Sequence, residues 1–215
     1  MQRLRITFAK TAAMKYTGHL DLHTAWERTF RRAQLPLAYS QGHHPQPKIQ
    51  LAAALPLGFT SECEIADVMM ETPQDLTEAR SALTQAAPPG LVVLEVAEAP
   101  ERAPALQTLV RSATFRGTLA SQLSPEDMDQ RIAGLLAQPE IKRERRGKAY
   151  DLRPLIEALT RYSSDQLGHT LLMQLAAREG ATGRPEEVVE ALGASSTEAT
   201  YHRLKLILAD SAEAR

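Results

Sequence analysis

The sequence predicts an α+β protein made of two tandem ferredoxin-like (βαββαβ) units with antiparallel sheets. Three observations predict it. Short segments alternate apolar and polar residues as half-buried strands do, amphipathic helical segments separate them, and this order repeats once along the 215 residues. We therefore predict an N-terminal unit at 1–98 with a basic first half, a proline-containing linker at 99–110 and a C-terminal unit at 111–210.

The first unit follows the βαββαβ order. Apolar residues alternate with polar ones at 3–9, which predicts a strand with a basic outer face. Apolar residues at three- and four-residue spacing predict a helix at 20–33, which a following proline ends. The remaining predicted elements are strands at 48–54, 62–71 and 91–97 and a helix at 74–87.

The second unit repeats this order less clearly. Its predicted elements are strands at 112–119, 169–176 and 200–208 and helices at 125–138 and 185–193. The first of these helices has Ser124 as its N-cap and a proline in its first turn. The segment 141–151 is predicted to be a strand or ribbon. The segment 155–162 has both helical and strand features, and the sequence does not assign a role to residues 151–162.

The formal net charge of −1 conceals a strong asymmetry. Residues 1–50 carry eight lysines and arginines and two acids, a net +6, whereas residues 51–108 carry two basic residues and nine acids, a net −7. Residues 142–153 carry six basic residues and two acids, a net +4. Local fields rather than the net charge attract a polyanion, so the composition leaves nucleic-acid binding open. The alternative is that the basic segments are solvated faces over which acids fold.

Composition excludes several classes of protein. With one cysteine, Cys63, the chain holds neither an intramolecular disulfide nor a multi-cysteine zinc or iron–sulfur site. No apolar run is long enough to span a membrane, and the first ten residues lack the hydrophobic region of a signal peptide. We expect a cytoplasmic protein that contacts no membrane and holds no cofactor or metal of its own.

A proline-stiffened loop at 39–48 carries two of the three candidate catalytic residues. His43 and His44 lie in this loop, and His19 opens the first predicted helix; imidazole titrates near neutral pH and suits general acid–base catalysis. Adjacent histidines on an extended backbone point to opposite sides, so no metal site is predicted. The alternative is a structural loop in which a histidine caps backbone groups.

The candidate nucleic-acid-binding residues come from the two basic segments, in which lysine and arginine could contact phosphates and tyrosine could stack on bases. They are Arg28, Arg31, Arg32, Tyr39, His44, Lys48, Lys142, Arg143, Arg145, Arg146, Lys148 and Arg153. An exposed basic hairpin at 142–148 without a ligand explains the second group equally well.

Several motifs resemble one bacterial family. They are GHLDL at 18–22, RRAQLPLAYSQGHHPQPKI at 31–49, ALPLG at 54–58, DLRPLI at 151–156 and GRPEEVVEALG at 183–193. Together they resemble the radical SAM-linked domain of unknown function, which is fused to, or encoded beside, cobalamin-type radical SAM proteins. The resemblance implies a radical SAM partner encoded nearby. A radical SAM cluster needs three cysteines, so the partner would supply that chemistry.

Three functions are compatible with these observations. The leading hypothesis is a non-catalytic RNA-binding accessory module that presents tRNA or ribosomal RNA to a radical SAM enzyme for modification. The second is a metal-independent endoribonuclease similar to the CRISPR repeat-RNA processing enzymes, which share the tandem ferredoxin-like layout and often use a histidine. The third is a protein-docking module for the radical SAM partner.

Overall fold

The computed structural model describes residues 1–145, 147–165 and 168–209. They form two compact units: residues 1–110 together with 208–209, and residues 111–207. Each unit combines helices with antiparallel strands, so the predicted α+β class is confirmed. No helix in these described ranges is both long enough and apolar enough to cross a membrane.

The first unit contains four antiparallel strands and two long helices. In chain order these are β1 (Gln2–Lys10), α1 (His19–Arg32), β2 (Ile49–Leu51), β3 (Thr60–Met70), α2 (Leu76–Ala86) and β4 (Leu91–Ala99). The strands lie in the order β2-β3-β1-β4. Each element lies where the sequence predicts it, although β2 is shorter than the predicted strand at 48–54.

The core of this unit lies between its sheet and its helices. Leu4 and Ile6 of β1 are fully buried, because alternation directs them to one face of the strand. The apolar stripe of α1 meets that face. Trp26 packs edge-on against Phe8 with 5.0 Å between ring centroids, a favoured geometry for aromatic pairs. These contacts fix which side of α1 faces outward.

The predicted linker at 99–110 is instead a packed part of the first unit. It contains α3 (Leu106–Leu109), and both leucines that bound this helix are buried. The backbone N–H of Leu106 donates to Gln50 Oε1 at 3.0 Å. Prolines in this segment suggested a free linker, but apolar side chains and backbone hydrogen bonds hold it against the sheet.

The second unit also combines antiparallel strands with helices. Its elements are β5 (Val110–Ala120), α4 (Pro125–Leu136), β6 (Lys142–Arg145), β7 (Lys148–Asp151), β8 (Ile156–Asp165), β9 (Gly168–Arg178), β10 (Ala181–Thr182), α5 (Pro185–Ala191) and β11 (Thr200–Leu208). The strand order is β8-β9-β5-β11, and the short β10 also pairs with β9. The hairpin β6–β7 forms a two-stranded sheet of its own.

The main difference from prediction lies at 141–165. The segment predicted as a strand or ribbon is the separate hairpin β6–β7, and the strand that pairs with β9 is β8, within the segment that the sequence left unassigned. The pairing of β8 shifts between Ile156 and Ala158 and again between Arg161 and Ser163. Such bulges place two residues opposite one, which interrupts the apolar alternation that identifies a strand.

Candidate nucleic-acid interface

Two arginines of β1 share one buried carboxylate inside the first unit. Arg3 Nε donates to Asp67 Oδ2 at 2.9 Å, and Arg5 Nε donates to Asp67 Oδ1 at 2.8 Å. Asp67 is 1% exposed. Its hydrogen bond raises the pKa of Arg5, while desolvation acts in the opposite direction. The predicted basic outer face of this strand is therefore an internal ion-pair network.

A third cation of the N-terminal segment is also internal. Lys10 is 1% exposed, and its Nζ lies 3.4 Å from the carbonyl oxygen of Lys15. The count of residues 1–50 gives eight positive charges, and Lys10, Arg3 and Arg5 are three of them that the structure uses inside the unit. The net charge that this segment presents to solvent is consequently below +6.

Helix α1 carries the cations that remain outward. Leu22, Trp26 and Phe30 occupy its buried stripe, so Arg28 and Arg31 lie on the opposite, exposed side. Arg31 pairs with Glu27 at 3.2 Å. Arg28 makes no hydrogen bond or ion pair with another described residue.

Arg32 has a structural contact. Its Nε and Nη2 donate to the carbonyl oxygen of Ala86 at 3.0 and 2.7 Å, at the last residue of α2. A cation suits the free carbonyls at a helix C-terminus. This predicted nucleic-acid-binding residue therefore links the ends of α1 and α2.

The loop at 39–48 is a tight hairpin. Ser40 N–H donates to the carbonyl oxygen of Gln46 at 2.8 Å, and Gln46 N–H donates to Ser40 Oγ at 2.9 Å. Gly42, in its turn, has φ = +134°, a conformation that favours glycine. His43 and His44 are exposed at this turn and form no hydrogen bond with another described residue.

The structure separates the remaining candidates of this loop. Tyr39 is half-buried against the core, and its hydroxyl donates to Glu27 at 3.3 Å. Desolvation, followed by Glu27, raises its pKa. Ile49 is buried in the core. Lys48 directly precedes β2 and is half-buried, so alternation with buried Ile49 directs it away from the core.

His19 lies apart from the other two histidines, on the exposed first turn of α1. Partial desolvation and then the charge of His23 lower its pKa, while Glu64 acts in the opposite direction. Nowhere in the described ranges do three histidine, cysteine, aspartate or glutamate side chains lie close enough to bind a metal ion together.

The register of β6–β7 divides the basic residues at 142–148 between the two faces of the hairpin. Arg143 pairs with Tyr150, and Arg145 pairs with Lys148, so these four side chains share one face, called here the basic face of the hairpin. The other face carries Lys142, which pairs with Glu140 at 3.5 Å. Arg146 lies outside the described residues.

The basic face of the hairpin meets acidic α5. The hydroxyl of Tyr150 donates to Glu187 Oε2. Burial raises the pKa of Glu187, against the positive charge of Arg145 and, more weakly, of Arg143. Arg143 and Arg145 are half-buried rather than openly exposed, and α5 contacts their face of the hairpin through Tyr150.

A comparison with family models assigns the chain to a family. Residues 3–185 match the model described as "Uncharacterized protein conserved in bacteria (DUF2344)". The chain belongs to this family. The match includes the loop at 39–48 and the hairpin β6–β7. Among curated proteins, no relative matches the chain.

A search of solved structures found partial matches to this DUF2344 chain, including the following two. A chain in a crystal structure of a Cbf5-Nop10-Gar1 complex matches 94% of it, with a TM-score of 0.50 and 10% identity. A chain in the archaeal box H/ACA sRNP Nop10-Cbf5 complex matches 95% of it, with a TM-score of 0.47 and 9% identity. In both cases the match covers 48% of the solved chain, so the DUF2344 chain spans about half the length of the solved chains that it matches.

Arg153 of this family member also has a structural contact. Its Nε donates to the carbonyl oxygen of Leu136 at 2.9 Å, at the end of α4, and its Nη1 donates to the carbonyl oxygen of Ile156 at 3.2 Å. The guanidinium thereby joins α4 to the start of β8. This predicted nucleic-acid-binding residue closes a helix C-terminus, as Arg32 does in the first unit.

One buried histidine is not among the residues that the sequence predicts to be functional. His169 on β9 is 2% exposed; its Nδ1 lies 2.7 Å from Ser164 Oγ, and its Nε2 lies 3.1 Å from the carbonyl oxygen of Leu123. A carbonyl oxygen only accepts, so Nε2 carries a proton, and in neutral imidazole Ser164 donates to Nδ1. Alternation along the strand could have predicted this burial, because His169 lies on the same side of β9 as buried Leu171 and Met173.

Proposed function

We propose that this family member is a non-catalytic RNA-binding accessory module that acts with a radical SAM enzyme in tRNA or ribosomal RNA modification. The observation that carries the RNA-binding part is the outward side of α1, where Arg28 and Arg31 stay exposed while Arg3, Arg5 and Lys10 are used internally. Exposed cations on a helix suit contacts with a phosphate backbone.

The radical SAM partner is proposed from the sequence motifs alone. The motif between residues 31 and 49 includes the loop hairpin, and the motif at 183–193 includes α5. The single Cys63 accords with an accessory role, because radical SAM chemistry requires a cluster held by three cysteines. The partner would bind the cluster, and this chain would hold the RNA.

The fold we propose for this role is two tandem ferredoxin-like units. The strand orders β4-β1-β3-β2 and β11-β5-β9-β8 support it, because a split βαβ unit inserts one antiparallel strand between two parallel ones. In this arrangement the hairpin β6–β7 is an insertion between α4 and β8.

Charge reversal on α1 tests RNA binding. The double variant Arg28→Glu/Arg31→Glu is expected to bind labelled bacterial tRNA at least about tenfold more weakly, because two phosphate contacts become repulsive. The slope of log affinity against log salt should fall by roughly 0.9 for each lost contact. Fluorescence anisotropy across a salt series measures both quantities.

Arg80→Glu/Arg102→Glu is the matched control, since it makes the same change in net charge at two other exposed arginines of the first unit. It should bind tRNA nearly as tightly as the unchanged protein. Equal weakening by both double variants would contradict the assignment to α1. Absence of tRNA binding at low salt would contradict RNA binding itself.

A docking role has separate support in exposed apolar side chains of the first unit. Leu20 is 81% exposed, Tyr16 is 73% exposed and Leu57 is 64% exposed. Lys15 Nζ lies 4.9 Å from the centre of the Tyr16 ring, and the Lys15 carbonyl accepts from Gly58 N–H at 2.7 Å, which places Tyr16 beside the turn that carries Leu57. Large exposed apolar side chains are typical of protein-binding surfaces.

Docking is tested with the proposed radical SAM partner. Calorimetric titration should show that Leu20→Asp/Leu57→Asp weakens binding about tenfold or more, because charge replaces apolar contact area. Tyr162→Asp, at a 69% exposed site in the second unit, is the control. Unchanged affinity of the double variant would rule out this surface.

A further inference from the structure

The basic face of the hairpin requires a counter-anion. Arg145 and Lys148 are direct cross-strand partners, and Arg143 is next along the same face. Like charges that pair directly across two strands destabilise a hairpin, and an isolated two-stranded hairpin is only marginally stable in water. The hairpin β6–β7 therefore depends on an anion placed over this face.

The anion present is the carboxylate of Glu187 on α5. Tyr150 donates its hydroxyl hydrogen to this carboxylate, and Arg145 and Arg143 are the cations that act on it. A carboxylate that accepts a hydrogen bond from a phenol and feels the positive charge of two arginines lies where a phosphate group could also bind. Glu187 thus lies where an external anion could bind.

The hairpin side of this contact is incompletely satisfied. Arg143 Nε is buried and has no hydrogen-bond partner among the described residues. A buried donor without an acceptor is costly, and Glu187 does not supply that acceptor. An anion with more acceptor oxygens than one carboxylate can satisfy the hairpin better than Glu187 does.

The base of the hairpin has hydrogen bonds of its own. At the base, Leu152 N–H donates to the carbonyl oxygen of Ile141 at 2.8 Å, and Asp151 Oδ1 accepts from Ile141 N–H at 2.8 Å. Above this base, β6 and β7 form a sheet of two strands. Gly147, with φ = +74°, lies in its turn. Displacement of the hairpin from α5 therefore leaves the pairing of β8, β9 and β5 intact.

We propose that the basic face of the hairpin, formed by Arg143, Arg145, Lys148 and Tyr150, is a phosphodiester-binding surface that Glu187 of α5 occupies until a polyanion displaces it. The identification of that polyanion as RNA rests on the proposed function. The occupied state lowers non-specific binding, because a ligand must replace an existing anion before it reaches the cations.

Glu187→Gln tests the competition directly. The variant keeps the size of the side chain and removes its charge, so the hairpin should be released more often. We expect faster amide hydrogen exchange in peptides that cover 141–152 without any ligand, and about three- to tenfold tighter binding of labelled tRNA and of inorganic polyphosphate. Tyr150→Phe removes the hydrogen bond to Glu187 and should accelerate exchange in the same peptides. Glu198→Gln, at an exposed acid of the same unit, is the control for net charge.

The readouts separate this inference from the proposed function. Faster exchange with tighter polyphosphate binding, but no tRNA binding, would support the surface and overturn its RNA ligand. Unchanged exchange and unchanged polyphosphate affinity in Glu187→Gln would overturn the inference, even if tRNA binds through α1. Equal gains in affinity for Glu187→Gln and Glu198→Gln would also overturn it, because net charge alone would explain both.

Discussion

Replacing Asp67 by alanine is expected to lower the free energy of unfolding of the first unit by about 3–5 kcal/mol. Its carboxylate accepts from both Arg3 and Arg5, and Arg3 is itself only 4% exposed. Removal of the shared anion leaves the buried guanidinium of Arg3 without its counter-charge. It also leaves the like charges of Arg3 and Arg5 next to each other with no anion between them. Breaking a buried ion pair in this way costs much more than the net stabilisation that the intact pair provides.

Trp26, the one tryptophan of the chain, is buried in the first unit and reports its unfolding in a urea titration followed by fluorescence. Glu95→Ala, an exposed carboxylate on neighbouring β4, should change the unfolding free energy by less than about 0.5 kcal/mol. The triple variant Arg3→Met/Arg5→Met/Asp67→Leu should recover most of the loss, because no unpaired charge remains. A cost below about 1 kcal/mol for Asp67→Ala would contradict the network.

This network explains why the net charge of a segment does not predict the charge that the segment exposes at the surface. Alternation in β1 correctly separates the buried Leu4 and Ile6 from the arginines. It carries no information about Asp67, which reaches Arg5 only through the register of β1 with β3, 62 residues away. The basic segment 1–50 and the acidic segment that follows it therefore neutralise each other in part.

The same limit applies to the second unit. The helix α4 was predictable because Ser124 accepts from Asp127 N–H and Pro125 follows it, both local signals. The contact between Tyr150 and Glu187 spans 37 residues and has no local signal. Sequence patterns thus locate the cations of the hairpin but not the helix that contacts its basic face.

Gly168→Ala is expected to destabilise the second unit by about 2–5 kcal/mol, the sum of backbone strain and steric overlap. Gly168 has φ = +152° and begins β9, directly opposite Ala120 of β5. A Cβ at this position would overlap the carbonyl oxygen of Leu119 and lie 2.9 Å from the Cα of Ala120. These neighbours are backbone atoms of a paired strand, so the overlap can be relieved only by separating β5 from β9 at this end.

Gly134→Ala provides a matched substitution with the opposite expected sign. Gly134 lies within α4, and a Cβ there meets no atom within 4 Å. Alanine should therefore stabilise the same unit by up to about 1 kcal/mol, through higher helix propensity and a less flexible unfolded chain. Calorimetry should place the unfolding temperature of Gly134→Ala above, and that of Gly168→Ala below, the value of the unchanged protein. Because both variants add one methyl group to the same unit, shifts of the same sign would contradict the close approach of β5 to β9 at Gly168.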